Sequence, residues 1–467
     1  MTKTALKRLL VVALLWLAAP WAAALNLPAS QQFTLDNGMV VILTPKPDVP
    51  MISARVAIRG GALADAPGLE GSASLLADLL GKGAGTRDAQ AFVRAVADVG
   101  GELAFSADRE AVWVSADFLA ADAPLMLELM ADALQRPQLD QAEFDKLRTR
   151  AVQSLVAMKD GDPRGLVSIY GEAWLFRGHP YGRSVSGDET SLQRLKRADL
   201  EAYFKTQLGA DRAILSLAGD FEPGQMIQAI QSRFGQWRKA TGALPEVSAQ
   251  ARVKGRQVLF VDKPGATQTY FWIGQVGAAV GDAAEPAQNL VQTLFGGRFT
   301  SMLNAELRVK SGLTYGARAS LDRMALPGAA AWSSFTRTDA TVRAIDMGLA
   351  VQARLHAEPL NDAALESARN YVLGQFAPDY ETSGQLAEAF AALALHGLSR
   401  DNLAQYDHRI QTASVQAVNA ARSVFANNDD YAMVVIGDGD KIAKDLARYG
   451  TVTRMRITDP GFLPAAQ

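Results

Sequence analysis

The chain contains the same pattern twice. VILTPKPDVPMISARVAIRGGAL (Val41 to Leu63) is echoed by VLFVDKPGATQTYFWIGQVGAAV (Val258 to Val280), and Lys46-Pro47 corresponds to Lys263-Pro264, 217 positions later. Each copy reads as a strand, a Lys-Pro turn, a second strand and a glycine-containing exit. RPQLDQAEFDKLRTRAVQSL from Arg136 resembles AEPLNDAALESARNYVLGQF from Ala357. Both are helix entries with Asp or Asn near the cap, followed by apolar residues at helical spacing. AILSLAGDFEPGQMIQAIQSRFG from Ala213 resembles YAMVVIGDGDKIAKDLARYG from Tyr431, with the Gly-Asp turns 218 positions apart. Each predicts a buried strand, a turn and a closing amphipathic helix. Pairs that keep one order and a nearly constant offset predict two homologous α+β domains in tandem, residues 30–240 and 256–458. The connector RKATGALPEVSAQARVKG lacks a sustained apolar period and carries Gly242 and Pro245, so 241–255 reads as a linker.

Bulk properties agree with that division. A chain of 467 residues is too long for one ordinary core and suits two domains of about 200 residues. Hydrophobic residues at 49% and charged residues at 21% predict packed globular structure, and a net charge of −2 with no basic run argues against nucleic acid as a partner. The stretch MTKTALKRLLVVALLWLAAPWAAALN has a basic start (Lys3, Lys7, Arg8), an apolar run from Leu9 to Ala19, and small residues at Ala22 to Ala24. It reads as an export signal, residues 1–24, cleaved near Ala24. The alternative is an uncleaved anchor, but the run is short beside the roughly 20 residues of a span and is interrupted by Pro20. With no cysteine there is neither a disulfide framework nor a lipid-attachment site. The expectation is a periplasmic protein without a membrane span after signal removal.

Zinc hydrolysis needs three protein ligands, an open position for water and a carboxylate to accept the water's proton. A helix supplies such groups on one face at i, i+3 and i+4, as in the pattern H-x-x-E-H. PGLEGSASLLADLLGKGAGTR (Pro67 to Arg87) has the surroundings of that pattern and no histidine. The chain's four histidines are His179, His356, His396 and His408, and no two stand at helical ligand spacing. Asp78 alone is one carboxylate on an apolar helix, more often a helix-end or buried-pair residue than a ligand. Ser72, Ser74 and Ser301 have no recognisable nucleophile setting.

The stretch resembles the pitrilysin/insulinase family of zinc peptidases, the inverzincins, and the resemblance extends over both halves. RGHPYGRSVSGD from Arg177 is a weaker part of it. The fold it implies is two peptidase-like α/β domains of the LuxS/metalloprotease-like type. Registered on Gly85-Thr86, the resemblance puts Ser74 and Asp78 at the histidine positions and Ala77 at the catalytic glutamate. Gln153 or Ser154 takes the place of the third ligand, a glutamate. The chain is therefore expected to bind no metal and to cut no peptide on its own.

The second half retains more. In FGGRFTSMLNAELRVKSGLTYGARASLD (Phe295 to Asp322), Gly296-Gly297 predicts a turn, Ser301 to Val309 a helix, and Leu313 to Leu321 a strand. Arg308 and Tyr315 match the family's Arg/Tyr pair, which helps to bind substrate at the scissile bond. Negative charge builds on the former carbonyl oxygen during cleavage, and a fixed phenol and guanidinium can stabilise it. From spacing alone the structural reading is favoured, Arg308 in an ion pair with Glu306 or a distant carboxylate and Tyr315 a half-buried strand residue; the two-domain repeat, the glycine turn and the flanking resemblance reverse it. Gly296 and Gly297 are either a simple flexible turn or a loop touching substrate backbone.

Short members of the family work as two facing chains, and in some of them one chain has lost the zinc site and keeps the Arg/Tyr pair. That division implies a non-catalytic subunit of an exported heterodimeric zinc metallopeptidase. Its homologous partner would carry H-x-x-E-H and the zinc, and its substrates would be peptides or unfolded polypeptide. The alternative is a peptidase-derived scaffold or peptide-binding protein, like the core subunits of respiratory complexes.

Overall fold

The computed structural model describes residues 27–464. The export signal expected at 1–24 lies outside the described residues. The molecule holds two six-stranded sheets built on one plan. The first contains β1 (Gln31–Thr34), β2 (Val40–Pro45), β3 (Met51–Arg59), β4 (Glu102–Ala107), β5 (Ala111–Leu119) and β6 (Ala213–Gly219), in the order β1-β2-β6-β3-β5-β4. The second contains β7 (Arg256–Asp262), β8 (Gln268–Val276), β9 (Ala317–Arg323), β10 (Pro327–Arg337), β11 (Tyr431–Gly437) and β12 (Thr451–Arg456), in the order β12-β7-β11-β8-β10-β9.

The repeat seen in the sequence is thus a repeat of pairing. β2 lies parallel to β6 with Pro45 opposite Gly219, and β7 lies parallel to β11 with Asp262 opposite Gly437. Only the outer edge differs: β1 precedes β2 and runs antiparallel to it, whereas β12 follows β11 and runs parallel to β7. This changes one expected element. The first half closes with a twelve-residue helix, Pro223–Phe234, as expected. The second half has one α turn, Gly439–Ile442, tightening into a 3-10 segment, Ala443–Tyr449. There the chain must turn at Gly450 (φ 143°) directly into β12, which leaves no room for a longer helix.

Six helices position the regions of interest. They are α1 (Ser72–Leu80), α2 (Gln141–Asp160), α3 (Leu166–Leu175), α4 (Glu285–Gln292), α5 (Asp362–Phe376) and α6 (Ser383–Leu395). Asp140 caps α2 by accepting from the N–H groups of Ala142 and Glu143, and Asn361 caps α5 through Ala364 N–H, as their places in the repeat predict. One face of each sheet packs on helices of its own half. The other face is covered by a helix from the opposite half. α3 lies over β8 and β11 of the second sheet, where Tyr170 and Trp174 join Leu259, Trp272 and Val434. α6 lies over β3 and β6 of the first sheet, where Leu386 and Phe390 join Ile42, Ala57 and Ile214. The exchange is reciprocal, and α3 and α6 begin 217 positions apart. Among the described residues no helix is long and apolar enough to cross a membrane.

Candidate functional site

α1 begins under firm control. The buried Asp65 carboxylate accepts from the N–H groups of Gly71 (2.8 Å) and Ala73 (2.9 Å), two donors that the first turn leaves free. Burial pushes this carboxyl up to about 7, opposed by those same two N–H groups. Leu75, Leu76, Leu79 and Leu80 lock α1 into the core of the first half. Ser74 is then half-buried, Ala77 fully buried, and Asp78 faces outward.

α2 packs against α1, yet the four metal-site positions do not form a donor set. Partial burial raises the Asp78 carboxyl above its ordinary value, against the pull of Lys82 and of Arg150 from α2. Gln153 is exposed and lines a shallow hollow with Arg148, Val152 and Gln193. A hydroxyl, a methyl group and a carboxamide offer zinc none of the ionised or imidazole donors it requires, and the one carboxylate already stands beside cations. Among the described residues no group of three or more His, Cys, Asp or Glu side chains is placed so that it could hold a metal ion. The residues present do not fit zinc.

The Arg308/Tyr315 region is built differently. Ser301 caps a helix that runs as α from Met302–Asn304 and widens to π from Ala305–Lys310. The helix expected at Ser301 to Val309 is therefore present in a wider form, of a kind frequent at functional sites. The strand begins later than expected, at Ala317 rather than Leu313. Leu313 to Gly316 instead form a pinned loop. The N–H groups of Leu313 and Thr314 donate to Leu307 O (3.0 and 3.1 Å), Thr336 Oγ1 donates to Leu313 O (2.6 Å), and Ser334 Oγ donates to Thr314 Oγ1 (3.0 Å). Gly312, at φ 62°, makes the reversal, a conformation that suits glycine.

On this fixed backbone Tyr315 stands out with 78% of its surface exposed, not half-buried in a strand. The Arg308 guanidinium carbon lies 4.7 Å from the Tyr315 ring centroid and 4.7 Å from that of Phe299, which is itself 59% exposed. Glu306 is engaged elsewhere, by Lys310 (2.9 Å) and Arg354 (3.0 Å), and these partners hold its carboxyl below the usual range. The ion pair between Arg308 and Glu306 is thus not formed. With two rings beside it and no hydrogen bond or ion pair to another side chain among the described residues, the guanidinium can offer N–H groups to an acceptor arriving from solvent. Sequence reasoning missed Phe299, although a bulky apolar residue in the polar run Arg298 to Ser301 was a visible signal.

Gly296 and Gly297 do not open a turn. They end a π segment, Thr293–Gly297, that continues α4. Gly296 is buried, and a Cβ there would come within 2.4 Å of Ala319 N, so close packing of α4 on β9 requires glycine. Gly297 is half-buried in the wall of a cavity between α4 and α5.

Comparison with known proteins places this geometry. Residues 40–189 match the insulinase family (peptidase family M16), and residues 194–372 match the peptidase M16 inactive domain. An uncharacterised zinc protease of Mycobacterium tuberculosis is 30% identical over 312 residues, 66% of this chain and 70% of that protein. Subunit 1 of the bovine mitochondrial cytochrome b-c1 complex is 30% identical over 217 residues, 46% of this chain and 45% of that protein. The matched stretches thus span between 45% and 70% of these curated relatives. A crystal structure of a peptidase M16 inactive domain from Pseudomonas fluorescens shares the fold, with a TM-score of 0.82 at 22% identity over 88% of this chain and 98% of that one. The chain belongs to the insulinase family of peptidases, family M16.

Proposed function

We propose that this chain is the non-catalytic subunit of an exported, two-chain zinc metallopeptidase. A homologous partner carries H-x-x-E-H, the zinc and the base, while this chain supplies half of the peptide-binding chamber. The observation that carries the reading is the contrast between two regions. The positions read as equivalent to a metal centre hold Ser74, Ala77, Asp78 and Gln153, whereas the Arg308 guanidinium stands beside two exposed rings with no hydrogen-bond partner among the described residues. A guanidinium and a phenol on a pinned loop suit a peptide carbonyl that gains negative charge as it is cut. Neither group needs a metal of its own to act this way.

The test is purification of the tagged mature chain from its native periplasm. The expected result is a co-purifying H-x-x-E-H chain, about one zinc per pair and peptide-cleaving activity. Tyr315→Phe should then lower turnover by on the order of 100-fold while leaving assembly intact. Unchanged turnover would remove the role assigned to the pair. The likeness to a cytochrome b-c1 subunit supports a second reading, a scaffold with no part in catalysis. That reading prevails if the chain emerges alone, zinc-free and without affinity for such a partner.

A further inference from the structure

A cavity of about 450 Å³ opens between α4, α5 and the segment that follows α6. Tyr371, Phe376, Tyr380 and Tyr406 give it aromatic walls, and Glu285 and Asp379 contribute two carboxylates. Phe376 packs edge-on against Tyr380 at 5.0 Å and tilted against Tyr406 at 4.8 Å, so the rings form one continuous surface. The Tyr380 phenol stands in the field of both Asp379 and Glu285. No Lys, Arg or His is among the lining residues. Three arginines approach from outside the wall, and each is held by neutral groups. Arg298 donates to Ser367 O (3.0 Å), Arg323 to Gln288 Oε1 (3.0 Å), and Arg409 to Asn402 O (2.7 Å). Arg323 comes close enough to Glu285 to feel its charge, but it does not line the cavity.

The volume is that of a site for a small ligand or a long side chain. Aromatic faces attract a cation through their quadrupole, and paired carboxylates add to the attraction. Tyr371 already carries the guanidinium of Arg298 over its ring at 5.9 Å. The apolar residues of the wall suit an alkyl stem. We infer that this cavity binds an alkyl chain ending in a cation, and that its occupant is a lysine or arginine side chain of a bound peptide. The peptide part rests on the function proposed above. Gly297 in the wall is two residues from Phe299, which packs on Arg308, so two residues of chain join the cavity wall to the Arg308 region.

The test uses the purified mature chain alone and measures binding calorimetrically. The probes are a blocked tripeptide with central lysine, its norleucine analogue and n-butylammonium. The lysine peptide should bind about tenfold more tightly than the norleucine peptide, and the preference should shrink at high salt. Asp379→Asn, at an exposed turn, and Glu285→Gln should each erode that preference, and together abolish it. Equal binding of the two peptides, or a preference untouched by both substitutions, overturns the cation site. Butylammonium binding as tightly as the lysine peptide overturns the assignment to a peptide side chain. Arg308→Ala should weaken both peptides alike and leave the ratio between them in place. The cavity assignment therefore survives if the subunit reading fails, and fails separately if the cavity variants are silent.

Discussion

At the scale of single residues, the defining arrangement is the guanidinium of Arg308 between Phe299 and Tyr315. Each exposed cation–aromatic contact is worth about 0.5–1 kcal/mol, so losing one should loosen Arg308 without unfolding anything. Phe299→Leu is expected to increase the side-chain mobility of Arg308, read from nitrogen relaxation at Nε, and, on the two-chain reading proposed above, to lower turnover of the pair roughly two- to fivefold. Phe299→Trp should restore both, which a merely structural role for Phe299 would not require. Unchanged mobility in the leucine variant would show that Tyr315 alone holds the arginine. Arg308 and Tyr315 were legible in the sequence because they belong to one short motif. Phe299 stood out in the sequence only as an apolar residue in a polar run; that its ring meets Arg308 depends on the widened helix, which the sequence does not announce.

At the scale of elements, two glycines separate packing from propensity. A Cβ on Gly171 of α3 would lie 2.4 Å from Trp272 on the opposite half's sheet. Gly171→Ala should therefore cost about 1–3 kcal/mol through overpacking, despite alanine's better helix propensity. Gly374 of α5 has nothing within 4 Å of its missing Cβ. Gly374→Ala should stabilise by about 0.4–1 kcal/mol. Urea unfolding of both variants checks the pair, and a shift of the same sign in each would refute the packing argument. The strands of the repeat could be read from sequence, since their apolar runs and turns are local. The cover that each half gives the other could not. The apolar face of α3 states that it is buried, not which sheet buries it, and only Trp272 meeting Gly171 decides the matter.

At the scale of the whole molecule, the reciprocal cover is unequal. Beneath α3 lie Tyr270, Trp272, Val434 and Ile436. Beneath α6, Arg55 pairs with Asp117 at 3.0 Å, and among the described residues the buried hydroxyls of Thr44 and Ser216 in the sheet and of Ser383 on α6 itself are unpartnered, against that of Tyr170 on α3. A buried hydroxyl without a partner costs about 1–3 kcal/mol, so α6 should be the first of the two helices to lift. Amide hydrogen exchange should show weaker protection along Ser383–Leu395 than along Leu166–Leu175. Equal protection in the two helices would refute the asymmetry. The exchange also bears on what this gene can discard. On the reading proposed above, Ser74, Ala77, Asp78 and Gln153 stand where a metal centre would, and the first half serves the second by covering it. Deleting it would strip α3 from the second sheet and leave Trp272 and its neighbours facing water. The first half is thus the roof of the second sheet, and the second cannot be kept without it.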